Sequence, residues 1–206
     1  MLLAFVKTMV IRRAGKRDSG VGTPARALVT GPIRLHIGGQ ICHPDWKILD
    51  VRQGPIVDYL GHCTDLSEFD DESIIELYAS HVIEHLGYQS ELATALREFY
   101  RVLIPDGTLR ISVPDLATLC ALFLDPALSS DERFHVMRMM FGGQINEADF
   151  HYVGLNEEFL KTYLLKTGFI DIVRVDNFGL FDDSSSLIFR GKPISLNLRA
   201  RKPPEA

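Results

Sequence analysis

The chain has 206 residues, 46% of them apolar and 24% charged, with a formal net charge of −5. That is enough for one well-cored domain of ordinary globular composition, and the acidic balance argues against a broad nucleic-acid-binding face. Three cysteines, Cys42, Cys63 and Cys120, stand far apart without CxxC spacing, which speaks against a disulfide scaffold or a cysteine zinc site and fits a reducing, cytoplasmic environment.

Residues 1–6 are an apolar run broken by Lys7, too short for a signal-peptide core or a membrane span. They read as a packed or frayed terminal helix, or as a short amphipathic helix on a neighbouring surface. Residues 14–32, rich in Gly, Ser, Pro and Thr, read as a linker, so the domain is expected over 33–206.

Short apolar runs then alternate with helical periods. Residues 34–37 read as a first strand ending in Gly38-Gly39, and 47–51 as a second ending in Asp50-Val51. Residues 56–63 read as a third, followed by Thr64-Asp65-Leu66, and 74–79 as a fourth. Between it and a fifth strand at 109–113 lies an amphipathic helix, with Leu92, Leu96, Phe99 and Leu103 on one stripe and Ala95 and Val102 beside them. Pro105-Asp106-Gly107 is expected to end that helix and turn the chain. Strand, helix and strand in this order imply a right-handed crossover and a parallel sheet. Further helices are expected at 116–124, 131–140 and 157–166, the last capped by Asn156 and stopped by Gly168. Strands follow at 169–175 and, by period-two alternation, 194–200. Residues 177–192 read as a long loop with a short strand near 186–189, and loops of that length are often functional. The whole implies an α/β, Rossmann-like, mostly parallel sheet of about seven strands with helices on both faces.

Ligands of open α/β sheets bind beyond the carboxyl ends of the strands, near the switch in strand order. Four strand ends carry suitable residues. Glycines after the first allow close backbone approach. A carboxylate after the second, Asp50, suits ribose hydroxyls. Asp65 could accept from an adenine amino group while Leu66 offers apolar contact, and Ser80-His81 follow the fourth strand. Each alone is also an ordinary turn former; their order along one chain raises the functional reading.

His81 and His85 stand at i and i+4, so both could face one ligand on a helix. The zinc-protease pattern puts Glu directly after the first His, whereas here Glu84 precedes the second. The spacing signals no third ligand, although His151 could arrive from a distance, and no metal is expected. Residues 141–155 form a polar loop holding Asp149, His151 and Tyr152. It either caps and packs, or carries a residue for proton transfer; His151 is then the first candidate and His81 the second.

Residues 70–86, the helix exit at 98–107 and the strand Leu109-Arg110-Ile111-Ser112-Val113-Pro114-Asp115 resemble class I S-adenosylmethionine (SAM)-dependent methyltransferases. Within these, they are similar to the type 11 group and a small bacterial branch of predicted methyltransferases. The resemblance implies SAM as cofactor, with Gly38 and Gly39 in the glycine-rich loop and Asp50, with Val51, at the ribose. It puts Asp65 and Leu66 on the adenine side and Ser80 and His81 beside the sulfonium. It implies methyl transfer to an oxygen or nitrogen of a small-molecule or sugar-linked acceptor. The family usually has Gly-x-Gly after the first strand, and Gln40 stands where the second glycine belongs. Its side chain crowds the ligand unless the loop takes another path, so a degenerate, non-catalytic binding module is the alternative. The stretch 38–47 also leaves little room for a first helix, since a parallel crossover generally needs about a dozen residues; a shortened crossover is expected, with Trp46 against the sheet. A nicotinamide oxidoreductase is disfavoured because no GxGxxG follows the first strand.

Overall fold

The computed structural model describes residues 33–145 and 149–205. The expected terminal segment and linker at 1–32 lie outside the described residues. The elements in chain order are β1 (Ile33–Ile37), β2 (Lys47–Asp50), β3 (Tyr59–Leu60), β4 (Ile74–Ser80), α1 (Glu91–Val102) and β5 (Leu103–Pro114). They continue as α2 (Leu116–Phe123), α3 (Ser130–Phe141), α4 (Glu157–Thr167), β6 (Ile170–Val175), β7 (Ile188–Phe189), β8 (Lys192–Pro193) and β9 (Ser195–Arg201). A 7-stranded sheet runs in the order β3-β2-β1-β4-β5-β9-β6. Its first five strands pair in parallel, and β9 runs antiparallel to both neighbours. This is the expected Rossmann-like, mostly parallel sheet.

The centre follows from alternation. Leu35 and Ile37, Leu77 and Ala79, Leu109, Ile111 and Val113, and Leu196, Leu198 and Ala200 point to one face and share a core. The stripe of α1, from Leu92 through Leu96 and Phe99 to Val102, packs on that face with no exposure at all. Leu160 and Leu164 of α4 join it. Asn156 caps α4 through its side-chain oxygen, which accepts from the Phe159 amide at 2.8 Å, and Gly168 ends it in the left-handed region. A smaller core joins α2 and α3 through Leu119, Leu122, Leu128 and Val136, with Ile194 beside them. No helix among the described residues is long and apolar enough to cross a membrane.

Two boundaries differ from the sequence reading by more than a residue or two. The third strand shrinks from 56–63 to Tyr59–Leu60, because only those residues find partners, Leu49 and Asp50 of β2. The fifth begins directly after α1, at Leu103, opposite Ile74. The register then shifts so that Glu76 faces Thr108, and Pro105, Asp106 and Gly107 bulge out of the ladder. Pro105, which lacks an N–H, and Asp106, at φ +63°, are tolerated there because neither has to pair.

The connection from β1 to β2 holds no helix, as expected. Instead Trp46 turns onto the sheet face opposite α1, edge-on to Tyr78 with ring centroids 6.1 Å apart. Phe181, from the long loop after β6, stacks on His36 at 4.3 Å and meets Trp46 at 5.5 Å. Polar contacts fix this loop: the Tyr78 hydroxyl donates to Asp183 at 2.9 Å, and Asn197 Nδ2 donates to the carbonyls of Asp176 and Ser185. The long loop therefore supplies part of the cover over β1 and β4.

Candidate functional site

Strand order changes direction at β1, whose neighbours are β2 and β4. A cleft opens beyond the carboxyl ends of these strands, where open α/β sheets bind ligands. Gly38, Gln40, Asp50, Val51 and His81 line it, joined by Arg52, Gly61, Cys63 and Val82.

The turn after β1 depends on its glycines. Gly38 has φ +68°, and a Cβ there would lie 2.8 Å from Val82 Cγ2. At Gly39, a Cβ would lie 2.8 Å from the His36 ring, so the backbone rests directly on β1. The Gly38 amide donates to the Leu49 carbonyl at 2.8 Å, tying the turn to β2. Gln40 is exposed, and its carboxamide donates to Asp50 Oδ2 at 3.4 Å. Asp50 Oδ1 accepts from the Arg52 amide at 2.8 Å, with the Arg52 guanidinium 3.5 Å away. So the crowding expected of Gln40 comes through its carboxamide, which spans the cleft to the carboxylate. The remaining cavity is about 20 Å³, room for roughly one water. A cofactor-sized ligand needs some hundreds of Å³, so the cleft is narrower than such a ligand, with the Gln40–Asp50 contact across it.

Not every expected residue gathers here. Gly39 backs the turn, and Ser80 is fully buried before His81; neither lines the cleft. Asp65 and Leu66 sit elsewhere. Leu66 is fully buried, its amide donating to Glu98 and its carbonyl accepting from Arg101 on α1. Asp65 lies on a separate groove with Arg97 and Arg101. Gly61 and Cys63 occupy the cleft instead. The sequence reading ran the third strand through to residue 63, so it passed over Gly61 and Cys63, which follow the paired residues Tyr59 and Leu60. Burial pushes the Cys63 thiol up to about 12, which keeps it an inert wall.

A second cluster adjoins this cleft through His81, which sits at φ +54°. Its Nε2 meets Ser195 Oγ at 2.9 Å and its Nδ1 meets Glu84 Oε1 at 3.3 Å. Glu84 and His85 share a 3₁₀ turn, Ile83–His85, in place of a full helix start. The Tyr152 and Val153 amides both donate to the Glu84 carbonyl, at 2.8 and 3.3 Å, and so hook the loop beyond α3 onto that turn. This delivers His151 edge-on to His85, ring centroids 4.8 Å apart. One ligand atom from each of Glu84, His85 and His151 lies within 4.8 Å of the others. The fold thus gathers His151 with Glu84 and His85, and not with the His81/His85 pair that the spacing suggested. Burial alone would raise the Glu84 carboxyl, but His81, His85 and His151 outweigh it and hold the group low, at about 2. Burial lowers the His151 imidazole below its ordinary value, against the pull of Glu84.

The cleft lies at the switch point of a 3-2-1-4-5 sheet, with a glycine turn after the first strand and a carboxylate after the second, which is the place where open α/β sheets bind ligands. Residues 43–111 match a family model described as a methyltransferase domain. The fold is shared with a SAM-dependent methyltransferase from Archaeoglobus fulgidus (TM-score 0.54, 17% identity, covering 84% of this chain and 87% of that one). It is also shared with phosphoethanolamine N-methyltransferase 2 from Haemonchus contortus in complex with S-adenosyl-L-methionine (TM-score 0.51, 16% identity, 85% and 49%). A possible exported protein from Bordetella parapertussis is similar too (TM-score 0.50, 14% identity, 84% and 62%). The chain thus spans less than two thirds of the length of some of these proteins. No curated protein matches it in sequence. The family match covers about a third of the chain, and the solved structures show a shared fold.

Proposed function

We propose that this protein transfers the methyl group of SAM to an oxygen or nitrogen of a small-molecule or sugar-linked acceptor. The observation that carries the reading is the cleft itself: Gly38, Asp50, Gly61, Cys63 and His81 converge at the switch point of the sheet. The residues fit the cofactor. Gly38 lets an amino-acid end approach the backbone, Asp50 can accept both ribose hydroxyls, and Gly61 and Cys63 offer an adenine ring a low wall. Bound there, SAM supplies an electrophilic methyl on a sulfonium. The protein's own part is alignment of the acceptor and exclusion of water. Both ring nitrogens of His81 are engaged, which suits it to position rather than to shuttle protons. His151 is the candidate acceptor of the proton that a hydroxyl or amine gives up on methylation. The free thiols Cys42, Cys63 and Cys120 favour a cytoplasmic setting.

Isothermal titration of the full chain with SAM and with S-adenosylhomocysteine tests this. Saturable binding is expected, and the absence of heat at millimolar ligand sinks the reading.

The second reading is a non-catalytic member of the fold, favoured by the Gln40–Asp50 contact that narrows the cleft. Under it, the parent binds no SAM and Gln40→Gly restores binding. Turnover by the parent on any acceptor ends this alternative.

A further inference from the structure

We infer that Glu84, His85 and His151 form a site for a divalent d-block cation, with Zn²⁺ the first candidate. The site rests on side-chain chemistry and does not depend on methyl transfer.

The first argument is donor and acceptor balance. Glu84 is 1% exposed, and among the described residues neither of its carboxylate oxygens makes a well-directed hydrogen bond. A buried carboxylate left so poorly partnered is strongly disfavoured unless a cation or donor meets it. The nearest ring, His81, approaches one oxygen at 3.3 Å, while its other nitrogen is engaged with Ser195.

The second argument is tautomer. His85 Nδ1 lies 3.0 Å from the Phe150 carbonyl, and His151 Nδ1 lies 3.3 Å from the Met140 carbonyl. A carbonyl only accepts, so each Nδ1 carries the proton, and Nε2 of each neutral ring is left with its lone pair. A backbone carbonyl holding Nδ1–H is the usual outer partner of a metal-binding histidine, fixing both tautomer and ring direction. One ligand atom of each of the three residues lies within 4.8 Å of the others, and each ring has Nε2 left to offer an ion.

The third argument concerns which ion. Two imidazoles and one carboxylate suit zinc, iron, nickel or copper rather than calcium or magnesium. Ligands bonded at about 2.0–2.1 Å in a tetrahedron stand roughly 3.4 Å apart. The trio therefore needs to draw in by only about an ångström, which side-chain rotation about fixed carbonyl contacts can supply. Three protein ligands leave a fourth position open, as in zinc sites that take water or an oxygen ligand. Only His151 of the three is partly exposed, so the ion enters from the side of the loop carrying it. With an ion bound, His151 would be a ligand, so the proton-acceptor role proposed for it belongs to the metal-free protein.

The test uses the full chain stripped with chelator and titrated with Zn²⁺, with bound metal measured by elemental analysis after gel filtration. About one equivalent is expected, and Co²⁺ should give the visible absorption of a four- or five-coordinate ion. His151→Ala, on the partly exposed loop, and Glu84→Gln, which keeps shape, should each weaken binding roughly tenfold or more. SAM titration of the same samples reports separately on the cofactor cleft, so loss of metal binding with SAM binding retained isolates the metal site. Failure of the parent to bind either ion overturns the inference, as does stoichiometric binding unchanged in both variants.

Discussion

The two halves of this sheet are built by different means. From β4 through α1 to β5, two long paired strands are joined by a helix, and the core-facing apolar residues are buried at helical or alternating spacing. From β1 to β3 the strands are short, the crossovers hold no helices, and the cover comes from Trp46 and from Phe178 and Phe181 of a loop more than a hundred residues later in the chain. The first half is a scaffold. The second is where the cleft at the strand ends forms, between loops rather than helices. Rigidity and access are thus divided between neighbouring strands.

That division predicts unequal costs. Phe99→Ala removes a fully buried ring from the α1 stripe, where sheet and helix cannot close over the gap. It should destabilise the fold by about 4 kcal/mol, read as a large drop in melting temperature, with loss of SAM binding only through unfolding. Phe181→Ala removes a ring that is 9% exposed and stands on a loop able to settle inward. A loss of about 2–3 kcal/mol is expected. Denaturation with a chemical denaturant separates the two, and a Phe181 effect equal to that of Phe99 would show that the loop is as much scaffold as α1.

The same contrast decides what was legible in the sequence. The stripe of α1, the Asn156 cap and the alternation in β9 were readable because each is a short-range pattern set by helix or strand geometry. Gly38, Asp50 and His81 were legible as residues ending strands. The end of the third strand was not legible, because a strand's end depends on its partner: β3 pairs only where β2 can reach it. The aromatic cover was not legible at all, since no spacing links Phe181 to His36. His151 lay between, visible as a reactive residue in a polar loop, while its meeting with Glu84 and His85 rests on two backbone hydrogen bonds from Tyr152 and Val153.

Asp50 tests the cleft without touching the scaffold. Its carboxylate binds the Arg52 amide and Gln40, both at the rim. Asp50→Ala should weaken SAM by roughly ten- to a hundredfold, the range of about 1.5–3 kcal/mol for hydrogen bonds to a charged group. Calorimetry measures it, and the melting temperature of the free protein should move far less than for Phe99→Ala. Unchanged affinity would put the ribose elsewhere in the cleft.

The smallest effect is the most discriminating. Gln40→Ala removes the carboxamide that spans to Asp50 and leaves the Gly38-Gly39 turn intact. The contact is long, at 3.4 Å, and Gln40 is exposed, so its net worth is near the low end for a hydrogen bond, about 0.5 kcal/mol. If SAM has to displace it, the variant binds SAM about two- to threefold more tightly, mainly through faster association as the cleft opens more often. A variant that binds more weakly would reverse the assignment: Gln40 would then be a ligand contact, turning its carboxamide from Asp50 to the cofactor. The ratio of association to dissociation rates, by stopped flow, tells these cases apart even when the equilibrium change is small, because a gate alters entry and a contact alters escape.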